Sequence, residues 1–236
     1  MSYTVLNNPG ELPAAEAAVL CVEITMGISE TEGNLRLAAA GGEKLRAAMR
    51  PIRFLPAGSA CAVESCGLPY KGLILAAPPR WLTGKMNELL VLHRCYESIF
   101  AAAAELGAET VALPFLSTWY YRFPQEEAVH VALREAEKTD VKAIFTADTP
   151  ALFALSKQDY RKPQIVSYIG YYRDHALFEL DNGLYARVDL RPENVEADVI
   201  PYFEACYRVG NNPLQEPLPE AEIARLRAIY EDYDWC

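Results

Sequence analysis

Short apolar runs alternate with helical patterns along the first two thirds of the chain. Most of the runs are continuously apolar, which is typical of strands buried on both faces of a parallel sheet. The predicted strands are residues 17–24, 60–65, 72–77, 111–116 and 141–146. The predicted helices are residues 35–49, 89–107, 126–138 and 150–155. This alternation predicts βαβ units around a mainly parallel sheet, and the adjacent Gly41 and Gly42 predict a break in the first helix.

The pattern changes after Gln158. Three strands are predicted there, the last two joined by a hairpin turn at Asp181-Asn182-Gly183. The strands are residues 165–172, 176–180 and 184–190. Two helices are predicted after the strands, at residues 196–207 and 220–230. Tyrosine is frequent in this whole C-terminal part of the chain. We therefore expect one domain over residues 1–158 and a C-terminal tyrosine-rich α+β extension over residues 159–236.

The composition argues against two kinds of partner. The formal net charge is −10, and lysine and arginine nowhere cluster beyond local pairs, so binding to nucleic acid through phosphate neutralisation is not expected. No apolar run is long enough to span a membrane, and the amino terminus lacks a basic region followed by an apolar stretch. We expect a cytoplasmic protein with no membrane segment.

The six cysteines do not form a metal-binding pattern. The two nearest in sequence, Cys61 and Cys66, have the wrong spacing for a zinc knuckle, and the three histidines lie far from them. Reduced intracellular thiols are therefore predicted, and neither a metal nor a cofactor is expected.

A candidate ligand site follows the predicted strand at residues 111–116. A polar and aromatic loop comes next, and Pro124 then opens a helix. A loop between the carboxyl end of a strand and the amino end of a helix presents free backbone N–H groups and a positive dipole end, which suits a phosphate or diphosphate. Ligands of such sheets bind at this end of the strands. The candidate ligand-binding residues of the loop are Ser117, Thr118, Trp119, Tyr120, Tyr121, Arg122 and Phe123.

Two interpretations of this loop are open. Trp119, Tyr120 and Tyr121 can stack on a base or a ribose, with Arg122 as a bidentate phosphate partner. Alternatively, the aromatic side chains pack against the tyrosine-rich extension and fill the cleft. Tyrosine suits both arrangements, because its hydroxyl is compatible with a partly wet interface.

A few other polar residues are candidates for chemistry. Glu23 is acidic within a predicted strand, where an unpaired charge is costly, so it either faces the cleft at the strand's end or pairs with an arginine. His93 and His130 lie in helical patterns, which favours packing over catalysis. Asp148 and Thr149 are typical of a helix cap.

The order and spacing of several segments resemble the macro domain, an α/β module that binds ADP-ribose. Residues 67–81, GLPYKGLILAAPPRW, are similar to the family's NLPAKYVIHAVGPRW, and residues 39–43, AAGGE, to its AAGPE. Residues 112–118 and 123–128 together resemble AFPAISTGVYGFPKEEA. The resemblance implies a three-layer α/β/α sandwich with a mostly parallel mixed sheet.

The resemblance also implies a ligand site, from which this chain departs at several positions. Family members carry an acidic residue near the start that accepts a hydrogen bond from the adenine amino group; Glu11, followed by Leu12, stands at that distance. The family's asparagine motif is replaced around Glu23, and no aspartate matches the one that activates water in the hydrolase branch. The phosphate loop has Trp119 and Arg122 in place of glycines, and Ala147 stands where many members place an aromatic residue against adenosine.

Three functions are therefore open. The first is binding of ADP-ribose or a related adenine nucleotide, free or on an ADP-ribosylated protein, without the family's usual catalytic residues. The second is an ADP-ribosyl hydrolase with a divergent site, in which Glu23 is the leading candidate for the catalytic base. The third is an inactive scaffold that acts through protein contacts, with its cleft filled by Trp119 or by the extension.

Overall fold

The structure is a computed structural model that describes residues 3–7, 13–29, 31–82, 88–119, 123–158, 162–192, 197–200 and 217–232. Backbone contacts divide the chain into two compact units. The first is drawn from Met1–Trp81 and Leu89–Asp159, and the second from Leu82–Glu88 and Tyr160–Trp235.

The first unit is built on a six-stranded mixed sheet. Its strands are β1 (Tyr3–Leu6), β2 (Ala17–Cys21), β3 (Ser59–Val63), β4 (Gly72–Ala77), β5 (Thr110–Pro114) and β6 (Lys142–Thr146). They lie in the order β1–β6–β5–β2–β4–β3, and β3 is the strand that runs antiparallel to its neighbour. The described helices along this part of the chain are α1 (Glu32–Met49), α2 (Glu88–Glu105), α3 (Gln125–Glu137) and α4 (Pro150–Leu155).

Two inner strands of the sheet are apolar and buried throughout, as their sequences predict. Every residue of β2 and β4 is buried. Helix α1 places Leu37, Leu45 and Met49 in the same core cluster as the side chains of these strands. The mainly parallel sheet with its helices confirms the predicted α/β sandwich.

Helix α1 begins and bends where its sequence indicates. The Thr31 hydroxyl caps it by accepting a hydrogen bond from the Asn34 N–H over 3.4 Å. Gly42 has a φ of +53° and a ψ of −134°, so the helix is interrupted there as predicted. Glycine tolerates this conformation because it has no Cβ.

Two features of this sheet differ from expectation. Strand β2 ends at Cys21 rather than at residue 24, because the chain then makes a tight turn. In that turn the Glu23 N–H donates to the Gly27 carbonyl over 2.6 Å, and the Met26 N–H donates to the Glu23 carbonyl over 2.7 Å. The sequence pattern also does not predict β1, a four-residue strand beside β6 that buries only Val5.

The second unit contains a four-stranded antiparallel sheet and a helix, α5 (Glu220–Asp232). The strands are β7 (Ile165–Tyr172), β8 (His175–Leu180), β9 (Tyr185–Asp189) and β10 (Ala197–Ile200), which lie in the order β10–β9–β8–β7. The helix expected at residues 196–207 is wrong over residues 197–200. There Ala197 pairs with Val188 and Ile200 with Tyr185, so pairing with β9 overrides the helical pattern. Residues 201–207 lie outside the described residues.

Candidate functional site

The loop after β5 is anchored in the core just before its first predicted ligand residue, Ser117. Tyr96 of α2 is fully buried, and its hydroxyl accepts a hydrogen bond from the Leu116 N–H over 2.8 Å. Burial raises the pKa of the Tyr96 phenol well above its ordinary value, so the hydroxyl stays neutral. Phe115 stacks on Phe145 of β6, with ring centroids 4.9 Å apart and planes inclined by 3°. These contacts fix the start of the loop.

The hydroxyls of Ser117 and Thr118 are both used inside the protein. Ser117 donates to the Pro79 carbonyl and Thr118 to the Phe115 carbonyl, each over 2.8 Å, and both side chains are buried. Ser117 has a φ of +64°, which is uncommon for a residue with a side chain. An anion at this loop would therefore be bound by backbone N–H groups and the amino end of α3 rather than by these hydroxyls.

Trp119 and Phe123 occupy opposite environments. Trp119 is 59% exposed, so its ring is not buried in a cleft. Phe123 is 3% exposed, and its ring packs edge-on against Trp81 with the centroids 4.9 Å apart. The Phe123 ring therefore anchors the far end of the loop, and its role in ligand binding stays a prediction. The remaining loop residues predicted to bind ligand lie outside the described residues; they are Tyr120, Tyr121 and Arg122.

A shallow cleft, open to solvent, is lined by α1 and by strands β2, β5 and β6. It extends to Pro114, three residues before Ser117. Its walls are mainly apolar, and the polar side chains among them are Arg36, Thr146 and Asp148. The other lining residues are Pro13, Ala18, Val19, Gly33, Leu37, Tyr70, Ala112, Leu113 and Pro114.

Asp148 lies in the wall of the cleft, beside the residue that caps α4. The expected helix cap is confirmed for Thr149, whose hydroxyl accepts from the Leu152 N–H over 3.3 Å, and α4 does not need the Asp148 carboxyl. That carboxyl makes no hydrogen bond or ion pair within the described part of the chain. Burial raises its pKa, and the nearby negative charge of Glu32 raises it further. The cleft therefore holds a partly buried acid whose protonated form is favoured by its surroundings.

Glu23 lies in the turn after β2 and is not part of the cleft wall. Its Oε1 accepts a hydrogen bond from Nη2 of Arg80 over 2.6 Å, in an ion pair whose side chains are 36% and 48% exposed. Pairing with an arginine is one of the two arrangements considered from the sequence, although here the pair lies near the surface. A catalytic role for Glu23 stays a prediction.

The end of β2 is tied to the start of α1. The Cys21 N–H donates to Oδ1 of the buried Asn34 over 3.1 Å. Burial raises the pKa of the Cys21 thiol to about 12, against a smaller opposing effect from Asn34, so this cysteine is not a nucleophile at neutral pH. Glu11 and Leu12, the residues expected at the adenine, lie outside the described residues.

Neither a metal cluster nor a membrane span is found in the described part of the chain. No group of three or more histidine, cysteine, aspartate or glutamate side chains there is arranged to hold a metal ion. None of the helices described combines the length and the apolar character that crossing a bilayer requires.

Comparisons with known sequences point to one family. Residues 32–132 match the macro domain. A macro domain-containing protein of Lactiplantibacillus plantarum is 34% identical over 119 residues, which cover 50% of this chain and 69% of that protein. A protein of Pantoea vagans named O-acetyl-ADP-ribose deacetylase 1 is 37% identical over 76 residues, which cover 32% of this chain and 44% of that protein.

Solved structures agree with this result at the level of the fold. A macrodomain of Trypanosoma brucei in complex with ADP-ribose superposes with a TM-score of 0.57 at 17% identity. The superposition covers 66% of this chain and 67% of that chain. At this identity the similarity concerns the fold alone.

Proposed function

We propose that this chain, which belongs to the macro domain family, binds ADP-ribose, either free or attached to a protein. The observation that most supports this is the mainly apolar cleft that extends to Pro114, just before the loop that leads into α3. Sites for small ligands are typically concave and mainly apolar, with a few polar groups that fix the orientation of the ligand. The cleft offers apolar walls for a base, and the loop offers backbone groups for a diphosphate.

The adenine is assigned to the cleft. The resemblance implies adenine contacts at Glu11 and Ala147. Pro13, two residues after Glu11, lines the cleft, as do Thr146 and Asp148 on either side of Ala147. The apolar walls suit the faces of a purine ring, since the ring buries nonpolar surface there without leaving polar groups unpaired.

The diphosphate is assigned to the backbone of residues 117–123 and the amino end of α3. The first N–H groups of a helix have no partner within the helix and carry a partial positive charge. Because Ser117 and Thr118 direct their hydroxyls inward, the backbone is the part of these residues left to meet an anion. We assign to Trp119, which is exposed at the same loop, the role of covering a bound ribose or base.

Calorimetric titration with ADP-ribose tests the proposal, and we expect micromolar affinity. Gly33→Phe should weaken binding at least tenfold, because Gly33 lines the cleft and a Cβ built there meets no atom within 4 Å. The added ring would then enter the cleft without a backbone clash. Ala40→Phe on the exposed side of the same helix is the matched control. Absence of heat with millimolar ADP-ribose would exclude the proposed ligand, and equal affinity of the two variants would exclude this cleft.

The relative named as an O-acetyl-ADP-ribose deacetylase favours hydrolysis as a second candidate function. In that case Glu23 is the proposed base, and Glu23→Gln should abolish turnover of an ADP-ribosyl ester while leaving the affinity for ADP-ribose unchanged. Turnover is measured by product release and affinity by calorimetry. We expect the wild-type protein to show no turnover, and this result would identify a binding protein. If the wild type does show turnover and Glu23→Gln retains it, Glu23 is not the catalytic base.

A further inference from the structure

The segment that follows β4, residues 78–81, contacts both ends of the candidate ligand loop. Where the loop begins, the Pro79 carbonyl accepts the hydrogen bond from the Ser117 hydroxyl over 2.8 Å. Where the loop ends, the Trp81 ring packs edge-on against the Phe123 ring, with the centroids 4.9 Å apart. One short segment therefore fixes the first and the last residue of the loop.

This segment is itself well supported. Strand β4 is buried at every residue and pairs with β2 on one side and with β3 on the other. Pro78 and Pro79 follow the strand closely, both are buried, and the ring of a proline fixes its φ angle. The contacts made by Pro79 and Trp81 therefore hold the loop against the central sheet.

The amino end of α3 depends on the same support. Its N-cap residue, Pro124, supplies no side-chain hydrogen bond to the first turn. A hydrophobic residue before the N-cap often fixes the direction in which the chain enters a helix. Phe123 stands at that position, and its ring packs on Trp81, outside the helix. The side-chain amide of Gln125, the first helical residue, also donates to the Thr118 carbonyl over 3.4 Å, which joins the helix to the loop.

We propose that Trp81 is a positioning residue for the diphosphate. Through Phe123 it holds the loop and the amino end of α3 in the geometry that binds the ligand, before the ligand arrives. The inference rests on the proposed function, which assigns the diphosphate to this loop and helix end. Groups that are already ordered lose less conformational freedom on binding, so a loop held in this way binds its ligand more tightly.

The effect of Trp81 should be confined to one part of the ligand. Trp81 and Phe123, which both belong to the described residues, do not line the cleft assigned to the adenine. A loosened loop would therefore weaken the contact with the diphosphate and leave the contact with the base unchanged. A general loss of folding would weaken both contacts.

The test is Trp81→Ala, with ADP-ribose and adenosine as the two probes. Calorimetry should show ADP-ribose binding weakened by about tenfold or more, whereas ligand-observed NMR should show adenosine binding changed by less than about twofold. Without ligand, the amide hydrogens of residues 117–119 and 125–127 should exchange faster by about tenfold or more. Trp81→Phe should restore most of the affinity, because its ring can also pack on Phe123. Leu82→Ala, at the exposed next side chain, is the matched control.

A second comparison tests whether Trp81 acts through Phe123. Phe123→Ala should weaken ADP-ribose binding to a similar extent, and the double variant should bind about as well as the weaker single variant, because all three lack the same contact. If the two losses multiply instead, the side chains act separately and the inference is wrong.

Other results would also overturn the inference. Equal losses of ADP-ribose and adenosine affinity in Trp81→Ala would mean that the ring only supports the fold. Unchanged amide exchange would mean that the ring does not hold the loop. Normal ADP-ribose affinity in Trp81→Ala overturns only the role of Trp81, whereas a wild-type protein that binds no ADP-ribose removes the proposed function as well.

Discussion

Replacing Phe145 with alanine is expected to lower the free energy of unfolding by about 3–5 kcal/mol, the usual cost of deleting a buried phenylalanine ring. Phe145 is fully buried in β6 and is the centre of an aromatic cluster. It stacks on Phe115 and meets Tyr3 and Tyr96 edge-on, with ring centroids 6.3 Å away in each case. Removal of the ring would leave a cavity that three other rings cannot close without moving.

The same substitution should weaken ligand binding, because the cluster joins the two parts of the site. Phe115 lies two residues before the loop residue Ser117, and Phe145 is followed by the cleft residues Thr146 and Asp148. Stability is measured by urea unfolding, with Phe54→Ala at a ring 60% exposed as control. Phe145→Leu should fall between the wild type and the alanine variant. A loss no larger than that of the control would show that the cluster does not support this region.

The buried strands are predictable from the sequence because each is specified locally. A run such as residues 72–77 is apolar at every position, and the structure buries all of it. The turn into α4 is equally local, since Thr149 caps a helix that starts at the next residue. Two of the errors concern elements that depend on pairing with a distant strand. Residues 197–200 form a strand because β9 is available beside them, and β1 is short with a single buried residue.

The candidate site is less predictable for the same physical reason. The position of the loop at Ser117 follows from the order strand, loop and helix, which is a local signal. The position of the cleft does not follow from any local signal, because its wall combines residues from α1, β2, β5 and β6 that are far apart in sequence. Asp148 shows the difference most clearly. Its position beside Thr149 is typical of a helix cap, and only the fold shows that it also lines a cleft.

Replacing Glu135 with glutamine is expected to lower the free energy of unfolding near pH 7 by about 1.5–3 kcal/mol, the range for hydrogen bonds to charged groups. The Glu135 side chain is 2% exposed, and its Oε1 lies 2.8 Å from Nδ1 of His93 on α2 and 2.5 Å from Nζ of Lys138. A carboxylate only accepts, so Nδ1 of His93 carries the proton in this contact. The variant keeps the shape of the side chain and removes its charge, which weakens the contact between α2 and α3.

The effect of this substitution should depend on pH in a defined direction. Burial raises the pKa of Glu135, but the hydrogen bonds from His93 and Lys138 lower it more, and the pKa lies below its ordinary value of 4.5. The carboxylate therefore stabilises the folded state above that ordinary value, and the contribution is lost as the pH falls through the lowered pKa. Urea unfolding from pH 7 to pH 3 should show the two proteins converging below about pH 4.5. Glu137→Gln, at an exposed glutamate of the same helix, is the control. The difference in unfolding free energy between this variant and the wild type should not change with pH in this way. If the difference in unfolding free energy instead stays constant down to pH 3, the charge of Glu135 does not hold α3 against α2. The amino end of α3, which is proposed to face the diphosphate, would then not depend on that charge.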